Sequence, residues 1–259
     1  MSTPASASDQ ATGPATGQAT GPATGQAAGR PDMRDAARDE GDQYALPLVV
    51  RVERAEPPER TDALEAAAMA VLTLLADPRA QGDGEWAELV RAWTDARIRK
   101  VVRRARGAGW ERATALPGIT VAHRTAQVRV FPPVLVDGWP GDLARLQVAG
   151  TDLTDISRAL PLPASMPALW VTPEITMTAG KAMAQAGHAA QLAWWRLGER
   201  DRADWAGAGF ALGVRTAEPR QWARLVASGL PVVQDGGFTE VAPGSRTVVA
   251  DHPALRPAG

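Results

Sequence analysis

Short β-branched runs typical of strands and longer Ala-rich runs typical of helices alternate along the first half of the chain. Helices are predicted over residues 61–76 and from near Glu85 through Arg106, where Gly107 would end the second one. The predicted strands cover residues 46–53, 119–122 and 127–131. These patterns together predict an α/β unit over residues 45–136.

The second half of the chain repeats this alternation within a shorter span, residues 167–253. Strands are predicted at residues 168–172, 209–215, 231–234 and 245–250, and helices at residues 180–197 and 218–228. Strands alternating with helices over so few residues predict a small mixed four-stranded sheet flanked by helices, an α/β fold. The Pro- and Gly-rich residues 137–166 between the two units are predicted to be a linker.

The first 44 residues carry neither pattern. Residues 11–18 recur unchanged as residues 19–26, and both copies contain only Ala, Thr, Gly, Pro and Gln. Such a segment has too little apolar surface to offset the entropy of ordering it. Residues 1–44 are therefore predicted to be a disordered low-complexity tail.

The two units resemble one another in order and spacing, which favours a duplicated fold. Residues 47–53 resemble residues 167–174, and Ala68-Met-Ala70 resembles Ala182-Met-Ala184. Residues 109–133 can be laid on residues 229–253 at a constant offset of 120. Chance similarity between Ala-rich helices would account for the middle match alone.

Composition excludes several kinds of chemistry. The 259 residues include no Cys and only three His, which argues against disulfides, thiol nucleophiles and Cys- or His-rich metal sites, so neither metal nor cofactor is expected. The formal charge is −1, no apolar run could span a membrane, and the N-terminus lacks a secretory pattern. A cytoplasmic protein with no membrane partner is expected. Of 28 basic residues only Lys100 and Lys181 are lysines.

A polar stripe runs along the predicted helix at residues 180–197. Lys181, Gln185 and His188 fall on one face, and no acidic or Arg residue occurs between residues 180 and 195. Lys181 lies in the first helical turn, where its charge opposes the helix dipole unless a carboxylate compensates it. The alternative is an exposed lysine and a histidine with ordinary partners in the core.

Asp235 lies at the end of the predicted strand at residues 231–234 and is followed by Gly236 and Gly237. The ends of strands in α/β sheets are where binding sites collect, and two glycines allow a ligand to approach closely. An ordinary Asp-Gly turn would leave the same pattern.

Taken together, these motifs resemble the type 2, archaeal and eukaryotic-type, peptidyl-tRNA hydrolase family over residues 168–253. The matching residues are Gly-Lys-x-x-x-Gln-x-x-His-Ala-Ala from Gly180, Asp-x-Gly-x-Thr from Asp235, and Ala-Pro-Gly-Ser-x-Thr-Val from Ala242. The resemblance implies a metal-free enzyme that hydrolyses the ester of peptidyl-tRNA. It assigns catalytic roles to Lys181, Asp235, Thr239 and Thr247, and substrate-binding roles to Gln185, His188 and Gly237.

This sequence departs from the family pattern at three basic positions. Phe238 replaces the arginine of Asp-x-Gly-Arg-Thr, the first strand ends Val171-Thr-Pro-Glu174, and residues 175–179 carry no lysine. Residues 167–253 hold eight basic and eight acidic residues, so they offer little net attraction to phosphate. The alternative function is therefore a non-catalytic, hydrolase-like module that binds RNA or protein.

Residues 97–106 contain six basic residues and no acid. As part of the predicted helix they would form a broad basic face, either solvated or contacting tRNA phosphates through residues such as Arg99 and Arg103. At the offset of 120, Ala115 falls opposite Asp235, and neither Leu64 nor Ala67 supplies a counterpart of Lys181. The first unit is therefore predicted to be catalytically silent. It could dock as the second subunit does in the family's dimers, although a homodimer is also possible.

Overall fold

The computed structural model describes residues 41–157, 159–237 and 239–256. Most of the predicted tail, residues 1–40, lies outside the described residues. Its predicted end at residue 44 is slightly late, because the first strand already begins at Tyr44. No described helix is both long enough and apolar enough to cross a lipid bilayer.

The first half forms one sheet with helices against it. The strands are β1 (Tyr44–Arg51), β2 (Arg99–Ala105), β3 (Ile119–His123), β4 (Ala126–Val130) and the short β5 (Val134–Leu135). The helices are α1 (Arg60–Ala76), α2 (Ala87–Asp95), α3 (Ala108–Ala115) and the short α4 (Gly141–Ala144). The strand order is β2-β1-β4-β3, with β5 paired to β1. Only the β1–β2 pairing is parallel.

The second half forms a four-stranded sheet of the same kind. Its strands are β6 (Ala168–Val171), β7 (Gly213–Thr216), β8 (Val232–Gln234) and β9 (Arg246–Asp251). Its helices are α5 (Ala179–Arg196), α6 (Glu199–Gly207) and α7 (Pro219–Ala227). Of these, α6 is not predicted in the sequence analysis. The order is β7-β6-β9-β8, and only the β6–β7 pairing is parallel.

The mixed α/β fold is confirmed, and the shared strand order and directions are consistent with a duplication. The constant offset of 120 is wrong around residues 109–115, because Gly109 lies in the first turn of α3 whereas Gly229 follows the end of α7. Ala115 therefore ends a helix and does not correspond to Asp235. The first-half strand that corresponds to β8 is β3, which ends at His123.

The predicted basic helix through residues 97–106 is also wrong. The second helix ends at Asp95, and residues 99–105 form β2, which pairs in parallel with β1 over seven residues. The β-branched residues Val101 and Val102 favour a strand, and pairing with the buried β1 outweighs the local helical spacing. Because this segment is a strand with Val102 buried in the core, its basic residues do not share a single helical face.

The core is centred on the packing of α1 against α5, which joins the two halves. Both helices present buried alanines to it, and small side chains allow helix axes to approach closely. At Gly187 the approach is close, since an added Cβ would lie 2.9 Å from Cγ2 of Val71 on α1. One edge strand of each sheet packs on the helix of the other half: β2 on α5, and β7 on α1.

Glu65, fully buried on α1, connects the halves by ionic contacts. Its Oε1 accepts hydrogen bonds from the backbone N–H of Val214 at 3.0 Å and from Nη1 of Arg215 at 3.2 Å, both on β7. Its Oε2 lies 2.8 Å from Nε2 of His123 and 3.3 Å from Nη1 of Arg124. Asp62 and Arg124 extend the network. Asp62, Glu65 and His123 converge closely enough to hold a metal, but the two guanidinium groups already neutralise the carboxylates.

Replacing Glu65 with alanine should lower the free energy of unfolding by about 3–5 kcal/mol, because removing one member of a buried ionic network leaves its partners uncompensated. Urea denaturation of the purified protein measures the change. The exposed Glu88→Ala on α2 serves as the control and should stay within about 0.5 kcal/mol of the parent. Equal losses for the two variants would contradict the role given to Glu65.

Candidate active site

The first turn of α5 positions Lys181. Thr178 caps the helix, with its Oγ1 accepting the N–H of Lys181 at 3.2 Å. Thr178 is held in turn by Glu240, which accepts from its N–H at 3.1 Å and from its hydroxyl at 2.7 Å. The N–H of Gly180 donates to Oγ1 of Thr151 in the linker, at 2.9 Å. The backbone N–H groups at this helix end thus have side-chain partners from both flanking loops.

Asp235 follows β8 directly and is 7% exposed. Its backbone N–H donates to the carbonyl oxygen of Ser245 at 2.8 Å, and its carbonyl oxygen accepts from the N–H of Gly244 at 2.7 Å. Its Oδ1 accepts the N–H of Gly237 at 2.8 Å. Gly237 has φ +78°, and a Cβ there would collide with the ring of Pro243. Glycine at this position therefore lets the loop fold back over the carboxylate.

Lys181 and Asp235 meet although 54 residues separate them. Nζ of Lys181 lies 2.5 Å from Oδ2 of Asp235 and 2.9 Å from Oγ1 of Thr239. The side chains of the lysine and the aspartate are 12% and 5% exposed. The carboxylate compensates the ammonium charge at the helix N-terminus, where the sequence analysis required such a partner.

Gln185 and Thr247 form hydrogen bonds that hold Asp235, the carboxylate of the ion pair, in place. Nε2 of Gln185 donates to Oδ2 of Asp235 at 2.9 Å, and its Oε1 accepts the hydroxyl of Thr247 at 2.5 Å. Gln185 is 3% exposed and Thr247 is fully buried on β9. Thr247 therefore orients Gln185 and has no contact with Lys181 or Asp235 among the hydrogen bonds of the described residues.

Comparison with known families bears on the same residues. Residues 167–257 match the family model of peptidyl-tRNA hydrolase PTH2. The match covers 91 of the 259 residues and includes Lys181, Gln185, Asp235, Thr239 and Thr247. No curated protein matches the chain. The resemblance of the C-terminal third to this family is confirmed, while the first half lies outside the match.

A cleft of about 610 Å³ opens beside the ion pair of the PTH2-like region. Its walls come from both halves: α5 and the loop after β8 on one side, and β2 with the residues before it on the other. Arg99 lines this cleft, as does His188. Arg103 does not, because its Nη1 binds the carbonyl oxygens of Ala144 and Leu146, and its guanidinium stacks 4.4 Å from the ring of Trp139.

Lys100 is the cleft residue that the sequence analysis missed. It lies on β2 and is 8% exposed, with Nζ 3.2 Å from Nδ1 of His188 and 2.5 Å from Oε1 of Gln191 on α5. Burial lowers the pKa of Lys100 well below 10.5. Its rarity was a usable signal, since the only two lysines of the chain both line this one cleft.

The pKa of His188 is lowered well below 6.5, first by burial and then by the positive charges of Lys100 and Lys181. In the unfolded chain this ring binds a proton at a higher pH than in the folded protein. The free energy of unfolding should therefore fall as the pH drops below about 6.5, by up to about 1.4 kcal/mol per pH unit.

Replacing His188 with glutamine should flatten this part of the pH dependence. Urea denaturation of both proteins between pH 5 and 7.5 measures it, and superimposable slopes would show that the ring does not titrate as the structure indicates.

Replacing Thr247 with valine should cost about 1–3 kcal/mol of unfolding free energy, because valine has the same shape and leaves Oε1 of Gln185 without its donor. Thermal and urea denaturation measure the loss. Thr216→Val, at an exposed position on β7, is the matched control and should change stability little. A Thr247→Val protein as stable as that control would mean that the buried hydrogen bond contributes nothing.

Proposed function

We propose that the PTH2-like region hydrolyses the ester that joins a peptide to tRNA, releasing free tRNA and peptide. The observation that carries the proposal is the nearly buried contact of Lys181 Nζ with Asp235 Oδ2 and Thr239 Oγ1, at the edge of an open cleft. The family match over residues 167–257 supports it. Because translation supplies this substrate, the proposed site of action is the cytoplasm.

The ammonium of Lys181 stabilises the charge that develops during hydrolysis. Attack of water on the ester carbon turns the carbonyl oxygen into an oxyanion, and a fixed positive donor lowers the energy of that state. An ammonium carries three N–H donors, of which two face Asp235 and Thr239. The third can donate to the ester oxygen, and the other two keep the nitrogen from moving.

Asp235 holds Lys181 and helps to position the attacking water. Its Oδ2 accepts from Lys181 and Gln185, and its Oδ1 accepts from the Gly237 N–H. An ionised carboxylate has about four acceptor sites, so one remains for a water molecule. The hydroxyl of Thr239 can form a hydrogen bond to the same water molecule and help to position it. Gln185 and Thr247 act behind this arrangement by fixing the carboxylate.

The first half takes part in the proposed site as a wall of the cleft and not as a second active centre. At the offset of 120, Glu65 stands on α1 where Gln185 stands on α5, and its carboxylate is bound by Arg124 and Arg215. At that offset Thr61 stands where Lys181 stands, and Leu64 and Ala67, the counterparts considered from the sequence, are not lysines either. We infer that the first half is catalytically silent and occupies the place of a second subunit, with Arg99, which lines the cleft, as a proposed contact for tRNA phosphates.

Replacing Lys181 with arginine should reduce peptide release by about 10²–10³-fold, because a planar guanidinium cannot place one donor where the compact ammonium does. The assay is single-turnover release of labelled peptide from peptidyl-tRNA, with Lys181→Ala beside it. Arg220→Ala, an exposed change at the start of α7, is the control and should match the parent rate. Release by the parent that survives Lys181→Ala would reject the site.

Replacing Asp235 with asparagine should lower kcat by about 10²-fold, because the neutral amide keeps the shape but no longer fixes the ammonium by charge. The same release assay measures kcat and KM. A parent protein that binds peptidyl-tRNA without releasing peptide would instead support a non-catalytic binding module. The neutral residues in place of the family's basic positions favour that second function.

A further inference from the structure

We propose that Lys100, on the first half, sets the tautomer of His188 and so completes the active site of the second half. In this arrangement the lysine ammonium donates to Nδ1 of His188, and the imidazole presents Nε2–H to an acceptor oxygen of the substrate in the cleft. Lys100 is then a positioning residue that acts through His188. The inference rests on the proposed hydrolase function, and it concerns a residue outside the family match.

Two acceptor oxygens and one ring nitrogen surround Nζ of Lys100. They are Oε1 of Gln191 at 2.5 Å, Nδ1 of His188 at 3.2 Å and the carbonyl oxygen of Ile98 at 3.3 Å. The proposal takes Lys100 as protonated at neutral pH although burial lowers its pKa, because the three N–H donors of an ammonium can then meet all three groups. The ring of Trp93, 4.8 Å from Nζ, favours a cation at the same place. Since an ammonium can only donate, Nδ1 must accept and the ring proton must be on Nε2.

The histidine ring is placed to use that proton. His188 lines the cleft seven residues after Lys181 on α5, two turns along the same stripe. Its pKa is lowered by burial and by both lysines, so the ring is neutral and has one N–H to offer. Among the described residues no hydrogen bond involves Nε2 of His188, so this N–H is free to meet a ligand in the cleft.

The close approach of the two halves is what delivers the lysine. At Gly187 an added Cβ would lie 3.2 Å from Cδ and 3.5 Å from Cε of Lys100, so the lysine stem passes directly over the glycine. A Cβ at position 187 would therefore require the stem to shift by a few tenths of an ångström. Glycine at position 187, next to His188, therefore leaves space for the Lys100 side chain from the first half.

The first test is the tautomer of His188 in the intact wild-type protein at neutral pH, read from ¹⁵N chemical shifts of the imidazole nitrogens. The chain has only three histidines, which makes the assignment tractable. The proposal requires Nδ1 unprotonated and Nε2 protonated. The opposite tautomer, with the proton on Nδ1, is compatible only with an uncharged Lys100 amine as the acceptor, and it would overturn the proposal. This measurement is independent of activity, so failure of the proposed hydrolase function would be recognised separately.

The second test is a double-mutant cycle on peptide release with Lys100→Met, His188→Ala and the double variant. Groups that orient a metal-bound histidine are worth about 10–100-fold in activity, and we expect Lys100→Met to lower kcat/KM by a factor of the same order. Because Lys100 acts through His188, Lys100→Met should have no further effect once His188 is alanine. Multiplicative losses would indicate two unrelated defects and overturn the proposal.

A control separates positioning from loss of charge or of folding. Arg112→Met removes an exposed cation of the first half, on α3 and away from the cleft, and should leave both the His188 shifts and kcat/KM unchanged. In Lys100→Met the Nδ1 shift should move toward a mixture of tautomers. A Lys100→Met protein with the wild-type His188 shifts, or with wild-type kcat/KM, would contradict the assignment.

Discussion

The close packing of α1 on α5 is the constraint on which the cleft depends. Both helices meet through buried alanines, and Gly187 leaves no room for a Cβ between α5, Val71 and the stem of Lys100. Small residues at a helix interface shorten the distance between the axes. That distance allows the edge strand of each half to reach the helix of the other. The cleft is bounded by one such crossing, of β2 over α5, and the Glu65 network holds the opposite crossing of β7 over α1.

The two crossings place different chemistry on the two central helices. On α1, the carboxylate of Glu65 is paired with Arg124 and Arg215, and Glu65 does not line the cleft. On α5 the position of Gln185 carries a neutral amide, which can donate to Asp235 and accept from Thr247 at once. An amide can bridge two groups in this way because it has both donors and acceptors, whereas a carboxylate only accepts. Because Gln185 is neutral, Lys181 is the residue that compensates the charge of Asp235.

Most elements could be predicted from sequence, because periodic apolar residues and clear caps define them. The strands β1, β4 and β9 and the helices α1, α5 and α7 all lie within a few residues of their predicted bounds. Residues 97–106 could not be predicted, since their Arg and Val positions fit a helical face as well as a strand. Pairing with the buried β1 decided between the two, and that pairing is a long-range interaction that local spacing does not encode. The helix α6 was missed because it is short and mostly polar.

The candidate site was foreseeable only within the second half. Lys181, Gln185 and Asp235 could be found because helical spacing, a strand end and the family motifs pointed to one place. Lys100 could not be placed, since its role depends on how the halves dock. The sequence did show that Lys100 is one of only two lysines in the chain. Both lysines of this arginine-rich chain are nearly buried, and each nitrogen is met by neighbours from more than one direction. A compact ammonium suits such surroundings, because its three donors radiate from one atom, whereas a guanidinium spreads five donors over a plane. At Lys100 and Lys181 that difference in shape decides which contacts can form.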